Sequence, residues 1–333
     1  MNEMNVQVLL ARRPSGWVQE TDFRIVESAI PEIADGQLLV RNHYLSLDPY
    51  MRNRINDVKS YAKAVAPGEV MVGETVGEVV ASRHPGFKPG AHVAGMSGWQ
   101  LYAVSDGSDI RPVDDSGVPL SAHLGILGMP GATAYIGLLD VGQPKSGETV
   151  LVSAASGAVG SVAGQLARIR GCRAIGIAGG PDKCRHVVDE LGFDACIDYK
   201  AGRVAEDLRN AAPDGIDVCF ENVGGEIFDA ALGILNPFSR IALCGLVSQY
   251  NLIEPYGMKN IRSLLANRIT LKGFIVVDHL DRWPAARRDL ALWVKDGRIK
   301  YRETIARGIE NAPAAFIGLL KGRNLGKQLV KLD

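Results

Sequence analysis

Short apolar runs of period two fill the first third of the chain, then give way to longer alternation of strand-like and helix-like stretches. Runs at Val6–Leu10, Phe23–Ser28, Gln37–Ser46, Val76–Ser82, His92–Ala94 and Trp99–Ala103 predict strands. Gly68, Gly73, Gly77, Gly86 and Gly90, with Pro85 and Pro89, punctuate them. This pattern predicts an antiparallel, partly closed barrel-like domain. A glycine-rich helix start at Gly128–Tyr135 follows. Apolar runs at Thr149–Val152, Cys172–Ala178, Ala195–Ile197, Val218–Glu221, Arg240–Leu243 and Thr270–Ile275 then alternate with helical patterns over 182–191, 204–211, 226–235, 259–267 and 284–296. Such alternation predicts an α/β fold, a Rossmann-type doubly wound parallel sheet. A last amphipathic segment, Ala312–Lys321, precedes a terminal strand over Gln328–Lys331.

The stretch from Val150 to Ala167 carries the most chemistry. Its apolar run predicts a buried strand, Ser153–Gly160 a small-residue turn, and a helix starts near Val159. Strand, glycine turn and helix N-terminus direct free N–H groups and the positive end of a helix dipole at one place, an anion site. Ala154, Gly157 and Gly160 stand where the three glycines of a dinucleotide fingerprint would stand, with Ala158 and Val159 inside the turn. Alanine in the first place departs from the strict pattern, and a tight turn of any α/β protein is the competing reading. An NAD-preferring site carries an acid about 20 residues after the glycines. Ala178, 21 positions after Gly157, is not acidic, nor are Gly179 and Gly180, and Lys183 lies just beyond. A carboxylate would repel a 2′-phosphate, so this loop points to NADPH over NADH. A solvated lysine in a first helical turn is the competing reading of Lys183.

Composition narrows the classes. At 333 residues and 47% hydrophobic content the chain can bury large cores and form two domains. The 37 basic residues balance 37 acidic ones, which argues against a nucleic-acid or membrane-surface footprint. Cys172, Cys184, Cys196, Cys219 and Cys244 have no C-x-x-C spacing and read as free thiols, as in a reducing cytoplasm. No signal peptide is expected, and the uncharged stretches Ser116–Leu139 and Thr149–Ala167 are too broken by Pro, Gly and turn signals to read as spans.

Several motifs together resemble one family. Leu47-Asp-Pro-Tyr-Met-Arg52, Leu127-Gly-Met-Pro-Gly131, Ala154-Ala-Ser-Gly-Ala-Val-Gly160 and Glu221-Asn-Val-Gly-Gly225 are similar to the leukotriene B4 dehydrogenase/prostaglandin reductase group of the medium-chain dehydrogenase/reductase superfamily. So are Ser248-Gln-Tyr-Asn251, Gly273-Phe-Ile-Val276 and Asn324-Leu-Gly-Lys327. Curcumin reductases and 2-alkenal double-bond reductases belong to the same group. The resemblance covers nearly the whole chain. It implies a β-rich GroES-like catalytic domain over residues 1–122, completed by 300–333, and a Rossmann NADPH-binding domain over 123–299. It also implies a zinc-independent, NADPH-dependent reductase of the C=C bond in α,β-unsaturated ketones and aldehydes, working as a homodimer. Zinc-bearing relatives need a Gly-His-Glu stretch and cysteine ligands; here Gly73-Glu-Thr75 stands in that place and no cysteine precedes Cys172. The six histidines, His43, His84, His92, His123, His186 and His279, are scattered without ligand spacing.

Without a metal, charge pushed onto the carbonyl oxygen needs a hydrogen-bond donor, and the α-carbon needs a proton. A tyrosine, with an unperturbed pKa of about 10, is protonated at neutral pH. The resemblance offers Tyr50 and Tyr250, expected to face each other across an interdomain cleft, with Tyr256 a third candidate. Tyr250 is given a contact with the nicotinamide ribose or with the enolate, two roles that stay open. The same resemblance assigns Lys183 and Tyr199, beside Gly179, to the 2′-phosphate and Asn222 to the ribose side. Thr133 falls near the nicotinamide, with Phe274 and Val276 contributing through backbone, and Asn324 near the diphosphate. Core packing is the competing reading for the tyrosines, turn formation for the asparagines. Asp48 and Arg52 read as structural. A zinc-free quinone reductase and a non-catalytic NADPH-binding redox sensor remain alternative functions.

Overall fold

The computed structural model describes residues 4–58, 60–113 and 117–332. Ser116 and Lys59, which fall within stretches named above, lie outside them. The chain divides into two compact units, Met1–Gly125 with Glu303–Asp333, and Ile126–Arg302.

In the first unit β1 (Met4–Leu10) and β2 (Phe23–Ala29) form an antiparallel pair. β3 (Leu38–Ser46), β4 (Thr75–Ser82), β5 (His92–Gly95), β6 (Tyr102–Ser105) and β7 (Ile110–Pro112) build an antiparallel sheet, with a short helix α1 (Met51–Arg54) after β3. The run predicted over Trp99–Ala103 starts as a strand only at Tyr102. Trp99 lies in a bend and bonds elsewhere, its N–H to the Met71 carbonyl at 2.8 Å and its carbonyl to the Val8 N–H at 2.9 Å. Those bonds seat its indole, fully buried, against Phe23 and Phe316.

The second unit holds β8 (Thr149–Ser153), β9 (Arg173–Ala178), β10 (Ala195–Asp198), β11 (Ile216–Glu221), β12 (Leu235–Leu243) and β13 (Thr270–Gly273). They form one parallel sheet in the order β10-β9-β8-β11-β12-β13. This is the doubly wound order, whose direction of travel reverses between β8 and β11. Helices α2 (Met129–Ile136), α3 (Gly160–Ile169), α4 (Pro181–Arg185), α5 (Val204–Ala211), α6 (Gly225–Leu232), α7 (Arg262–Ala266) and α8 (Trp283–Lys295) connect or flank the strands. The helix predicted over 182–191 is present, α-helical over Pro181–Arg185 and continuing as a π-helix over His186–Glu190, where the Leu191 N–H bonds back five residues to the His186 carbonyl and widens the turn. The helix predicted over 259–267 shrinks to α7, and its apolar Leu265 is 81% exposed, not core.

Back in the first unit, β14 (Glu303–Arg307), α9 (Ala312–Leu320) and β15 (Lys327–Lys331) complete the sheet, β15 pairing β3. β14 lies parallel to β15, so the unit is not wholly antiparallel as its pattern predicted. β14 escaped the sequence reading because it is an edge strand, part-exposed along its length and charged at both ends. Among the described residues no helix is long and apolar enough to cross a membrane.

Candidate functional site

In open α/β sheets ligands bind beyond the carboxyl ends of the strands, where the order reverses. Here that place is the ends of β8 and β11, Ser153 and Glu221. Asn222 laces them together: its N–H donates to Ser153 Oγ and its Nδ2 to the Ser153 carbonyl, both at 2.7 Å. The turn after β8 then runs Ala154 to Gly160. Ala154 sits at φ 51°, the left-handed conformation that the fingerprint's first glycine would adopt, so alanine keeps the geometry at some steric cost. A Cβ on Gly160 would come within 2.3 Å of the Ala154 carbonyl oxygen, so only glycine lets α3 start so close to the turn. Gly157 is tighter than ordinary against the same oxygen, at 3.2 Å. Ala158 and Val159 complete the turn into α3.

The adenosine end of the crevice is set by β9 and β10. β9 ends at Ala178, with Gly179 and Gly180 following at its tip. The Tyr199 ring lies over Gly179, where a Cβ would come within 2.7 Å of it. Asp198, the carboxylate beside this loop, is spent on backbone: its Oδ1 accepts the Gly180 N–H at 2.7 Å and the Lys200 N–H at 2.9 Å. Lys183, half-buried in α4, is pushed below the ordinary lysine range, first by burial and then by the nearby Lys200 ammonium. Lys183 and Lys200 thus lie near each other at the tip of β9 and β10, by Gly179, Gly180 and the Tyr199 ring. Lys200 was not singled out by sequence reasoning, although the run Ile197-Asp-Tyr-Lys200 put it next to Tyr199.

Below the crevice Glu221 is fully buried. Its Oε1 accepts the N–H groups of Val223 and Gly224, both at 2.6 Å, which holds the Glu221–Gly225 turn and therefore Asn222. Burial raises this carboxyl from its ordinary 4.5 to about 7, against the lowering effect of those two bonds and of Ser153. A carboxylate at the end of a buried parallel strand was the available signal, and the sequence reading gave it no role. Because the folded value is the raised one, the folded protein holds a proton here that the unfolded chain releases between pH 4.5 and about 7. Stability therefore falls as pH rises through that window. Glu221→Gln should remove the fall, so its stability relative to wild type should grow by about 2–3 kcal/mol between pH 5 and pH 8. Urea unfolding of both proteins at the two pH values measures it, and parallel curves would refute it.

Tyr250 stands after β12. Its hydroxyl accepts the Leu246 N–H at 3.2 Å, and a Cβ on Gly245 would meet both this hydroxyl and the Asn222 carbonyl oxygen at 3.3 Å. Tyr250 and Asn222 thus meet around Gly245. Tyr256 goes elsewhere: its hydroxyl faces the Asp229 carboxylate at 3.4 Å, which also accepts the N–H groups of Lys259 and Asn260. Thr133, in α2, donates its hydroxyl back to the Met129 carbonyl at 2.7 Å. Phe274 packs edge-on against Phe220, and the Val276 carbonyl accepts the Trp283 indole N–H at 3.2 Å.

In the first unit, Leu47, Met51 and Ile55 are buried to 1% exposure or less and pin both sides of the turn that carries Tyr50. Asp48, in the same turn, accepts Lys327 Nζ at 2.5 Å and the Ser46 hydroxyl, all three side chains buried. Lys327 also donates to the Leu47 carbonyl at 2.8 Å. Arg52 donates to the Gly16 carbonyl at 2.8 Å and to Asn56, in keeping with a structural role. The Tyr50 hydroxyl is buried yet has no hydrogen-bond partner among the described residues. Burial, reinforced by Asp48 and Glu74, raises it well above the ordinary tyrosine value, so it stays a proton donor. Glu74 itself, in the Gly73-Glu-Thr75 stretch, faces Arg111 at 3.8 Å. Asn324 is buried and donates to the Gly326 carbonyl at 2.8 Å, a turn-forming bond. Among the described residues no three His, Cys, Asp or Glu side chains cluster as metal ligands.

Two family models match the chain: an N-terminal domain of oxidoreductase over residues 6–113, and a zinc-binding dehydrogenase domain over residues 158–291. The NADPH-dependent curcumin reductase of Escherichia coli (strain K12) is 49% identical over 336 residues, covering 99% of this chain and 97% of its own length. The NADP(+)-dependent 2-alkenal reductase of Nicotiana tabacum is 42% identical, covering 99% and 98%. The crystal structure of CurA from Vibrio vulnificus in complex with NADPH superimposes with a TM-score of 0.95 at 49% identity, covering 98% of this chain and 99% of that one. The chain belongs to the medium-chain dehydrogenase/reductase superfamily, in its zinc-independent group of curcumin, 2-alkenal and prostaglandin reductases.

Proposed function

We propose that this chain reduces the C=C bond of α,β-unsaturated ketones and aldehydes with NADPH, and that Tyr50 and Tyr250 supply the hydrogen bonds the reaction needs. The relatives to which it is similar include an NADPH-dependent curcumin reductase and an NADP(+)-dependent 2-alkenal reductase. The observation that carries the residue assignment is the buried Tyr50 hydroxyl, kept protonated and without a partner among the described residues. An unpaired buried donor costs about 1–3 kcal/mol, a cost that persists where function uses the group.

The second unit fits the cofactor. The Ala154–Gly160 turn offers N–H groups to a diphosphate at the start of α3. Lys183, Lys200 and Tyr199 hold the 2′-phosphate, Asn222 the ribose, and Thr133, Phe274 and Val276 border the nicotinamide end. When bound, the reduced nicotinamide supplies the hydride that adds to the substrate β-carbon. Tyr50 then holds the charge that develops on the carbonyl oxygen. Tyr250, whose oxygen accepts the Leu246 N–H, is the second phenol assigned to the reaction. Tyr256, engaged with Asp229, takes no part in this assignment.

A spectrophotometric screen of NADPH oxidation against enals, enones and quinones tests the reading. Turnover of enones is expected; turnover of quinones alone would favour quinone reduction, and none at all would favour a cofactor-binding sensor. The double variant Lys183→Ala/Lys200→Ala should weaken NADPH binding by about 10–100-fold and NADH binding by less than about 3-fold, since each lysine gives one charge-assisted bond. Fluorescence titration with both cofactors measures it, and equal losses would overturn the 2′-phosphate assignment.

A homodimer is the assembly we propose, built on β13. That strand is an open sheet edge exposed at every residue, and the chain before and after it carries the exposed Ile261, Leu265 and Val277, at 50%, 81% and 47% exposure. Light scattering should give about twice the 35.7 kDa chain mass at micromolar concentration. The five free cysteines suit the reducing cytoplasm in which we place the protein.

A further inference from the structure

Cys184 and Cys196 bring their sulfurs to 3.2 Å, Cys196 donating to Cys184. A disulfide has an S–S distance of about 2.05 Å, so an approach of about 1.2 Å would join them. Both residues are half-buried, within reach of a small oxidant. The other buried thiols face no second sulfur: Cys172 meets the Lys145 carbonyl at 3.2 Å, and Cys219 the Glu221 carboxyl at 4.0 Å.

The pair sits in the frame of the 2′-phosphate cradle. Cys184 directly follows Lys183 in α4, and Cys196 lies in β10, three residues before Tyr199. We infer that Cys184 and Cys196 form a redox-sensitive dithiol, closed to a disulfide by peroxide, that governs how tightly the cradle holds the 2′-phosphate. The inference rests on the assignment of Lys183, Lys200 and Tyr199 to that phosphate. Closing the pair draws the first turn of α4 toward β10. Gly180 is fixed by its bond to Asp198, so Lys183 must move relative to the glycine loop. A charge-assisted hydrogen bond is sensitive to such a shift, and NADPH should bind more weakly while NADH is little affected. By reciprocity, bound NADPH should shift the dithiol/disulfide equilibrium toward the dithiol.

The chemistry balances with hydrogen peroxide as the oxidant. The Cys184 thiolate attacks one peroxide oxygen, the O–O bond breaks, and hydroxide leaves with a sulfenic acid on Cys184. The Cys196 sulfur then attacks that sulfur, the S–O bond breaks, and water leaves. Two thiols lose two electrons in all, and one peroxide becomes two waters. Cys184 is the attacking sulfur because the Cys196 S–H donates to it and favours its ionised form. Burial pushes both thiols above the ordinary range, so the pair rests protonated and closes faster as pH rises.

The test treats the full chain with hydrogen peroxide, blocks remaining thiols by alkylation and maps the cysteines by mass spectrometry. A Cys184–Cys196 cross-link is expected, absent in Cys184→Ser and Cys196→Ser; in a glutathione redox buffer its equilibrium constant for forming should fall at least fivefold with saturating NADPH. Titration of the oxidised wild type should show at least a fivefold rise in Kd for NADPH and less than a twofold change for NADH. The serine variants should show neither change. Both cysteines recovered as alkylated thiols, one trapped as a sulfinic acid, or a cross-link without change in NADPH affinity would each overturn the inference. If the reduced wild type binds NADH as tightly as NADPH, the cradle assignment fails and takes the coupling with it. Cross-link failure with a reduced protein that prefers NADPH overturns the dithiol alone.

Discussion

The double variant Tyr50→Phe/Tyr250→Phe is expected to lose at least about 10³-fold in kcat/KM for enone reduction while its Kd for NADPH moves by less than about 3-fold. Removing one donor aimed at a developing oxyanion costs about 10²–10³ in rate. Phenylalanine keeps the ring volume, so packing around Leu47, Met51 and Ile55 is retained and the loss reports the hydroxyl. The single variants separate the two roles left open for Tyr250. If its hydroxyl serves the ribose, Tyr250→Phe weakens NADPH binding and leaves kcat near wild type. If it serves the enolate, kcat falls and binding holds. The wild-type pH profile adds an independent check. Burial, Asp48 and Glu74 all raise the Tyr50 phenol, so its protonated, donating form persists beyond the ordinary tyrosine range. No loss of kcat/KM below pH 10 should trace to Tyr50. A double variant within about tenfold of wild type would end the phenol assignment.

How much of this was readable in advance depends on the length of chain a feature needs. The Val150–Ala167 turn was legible because its chemistry is local: strand, small residues and helix start fall in consecutive positions. Even its one departure, Ala154, resolves locally, since the backbone takes the glycine-like conformation with an alanine in it. The missing acid after β9 was legible for the same reason. Lys200 was not, because its relevance comes from β10 pairing with β9, a contact between segments some twenty residues apart. Glu221 was visible as a residue but not as an anchor, since its bonds to Val223 and Gly224 depend on a side chain folding back under its own turn. Period-two patterning found strands with one buried face and passed over β14, an edge strand with no such face. The apolar residues of the helix predicted over 259–267 include Leu265 and Ile261, which lie exposed. Apolar periodicity reports that a face will be covered, not by what.

The Asp48–Lys327 pair links positions 279 residues apart, and it has the largest expected effect on stability. Lys327→Met should destabilise the protein by about 3–5 kcal/mol, the cost of leaving a buried carboxylate without its counter-charge. Methionine fills much of the lysine's space, so little of that loss is cavity. Asp48 would keep only the Ser46 hydroxyl, and the Leu47 carbonyl would lose its donor. The diagnostic is the double variant Asp48→Asn/Lys327→Met, in which the stranded charge is gone. It should recover at least half of the loss, because a neutral amide is far cheaper to bury than an unpaired ion. Urea unfolding of wild type, both single variants and the double variant closes the cycle. Activity should follow the same order at temperatures where all four remain folded, since the pair holds the turn from which Tyr50 projects. A Lys327→Met protein within about 1 kcal/mol of wild type would mean that the turn is held by Leu47, Met51 and Ile55 alone. Tyr50 would then owe its position to apolar packing, not to charge.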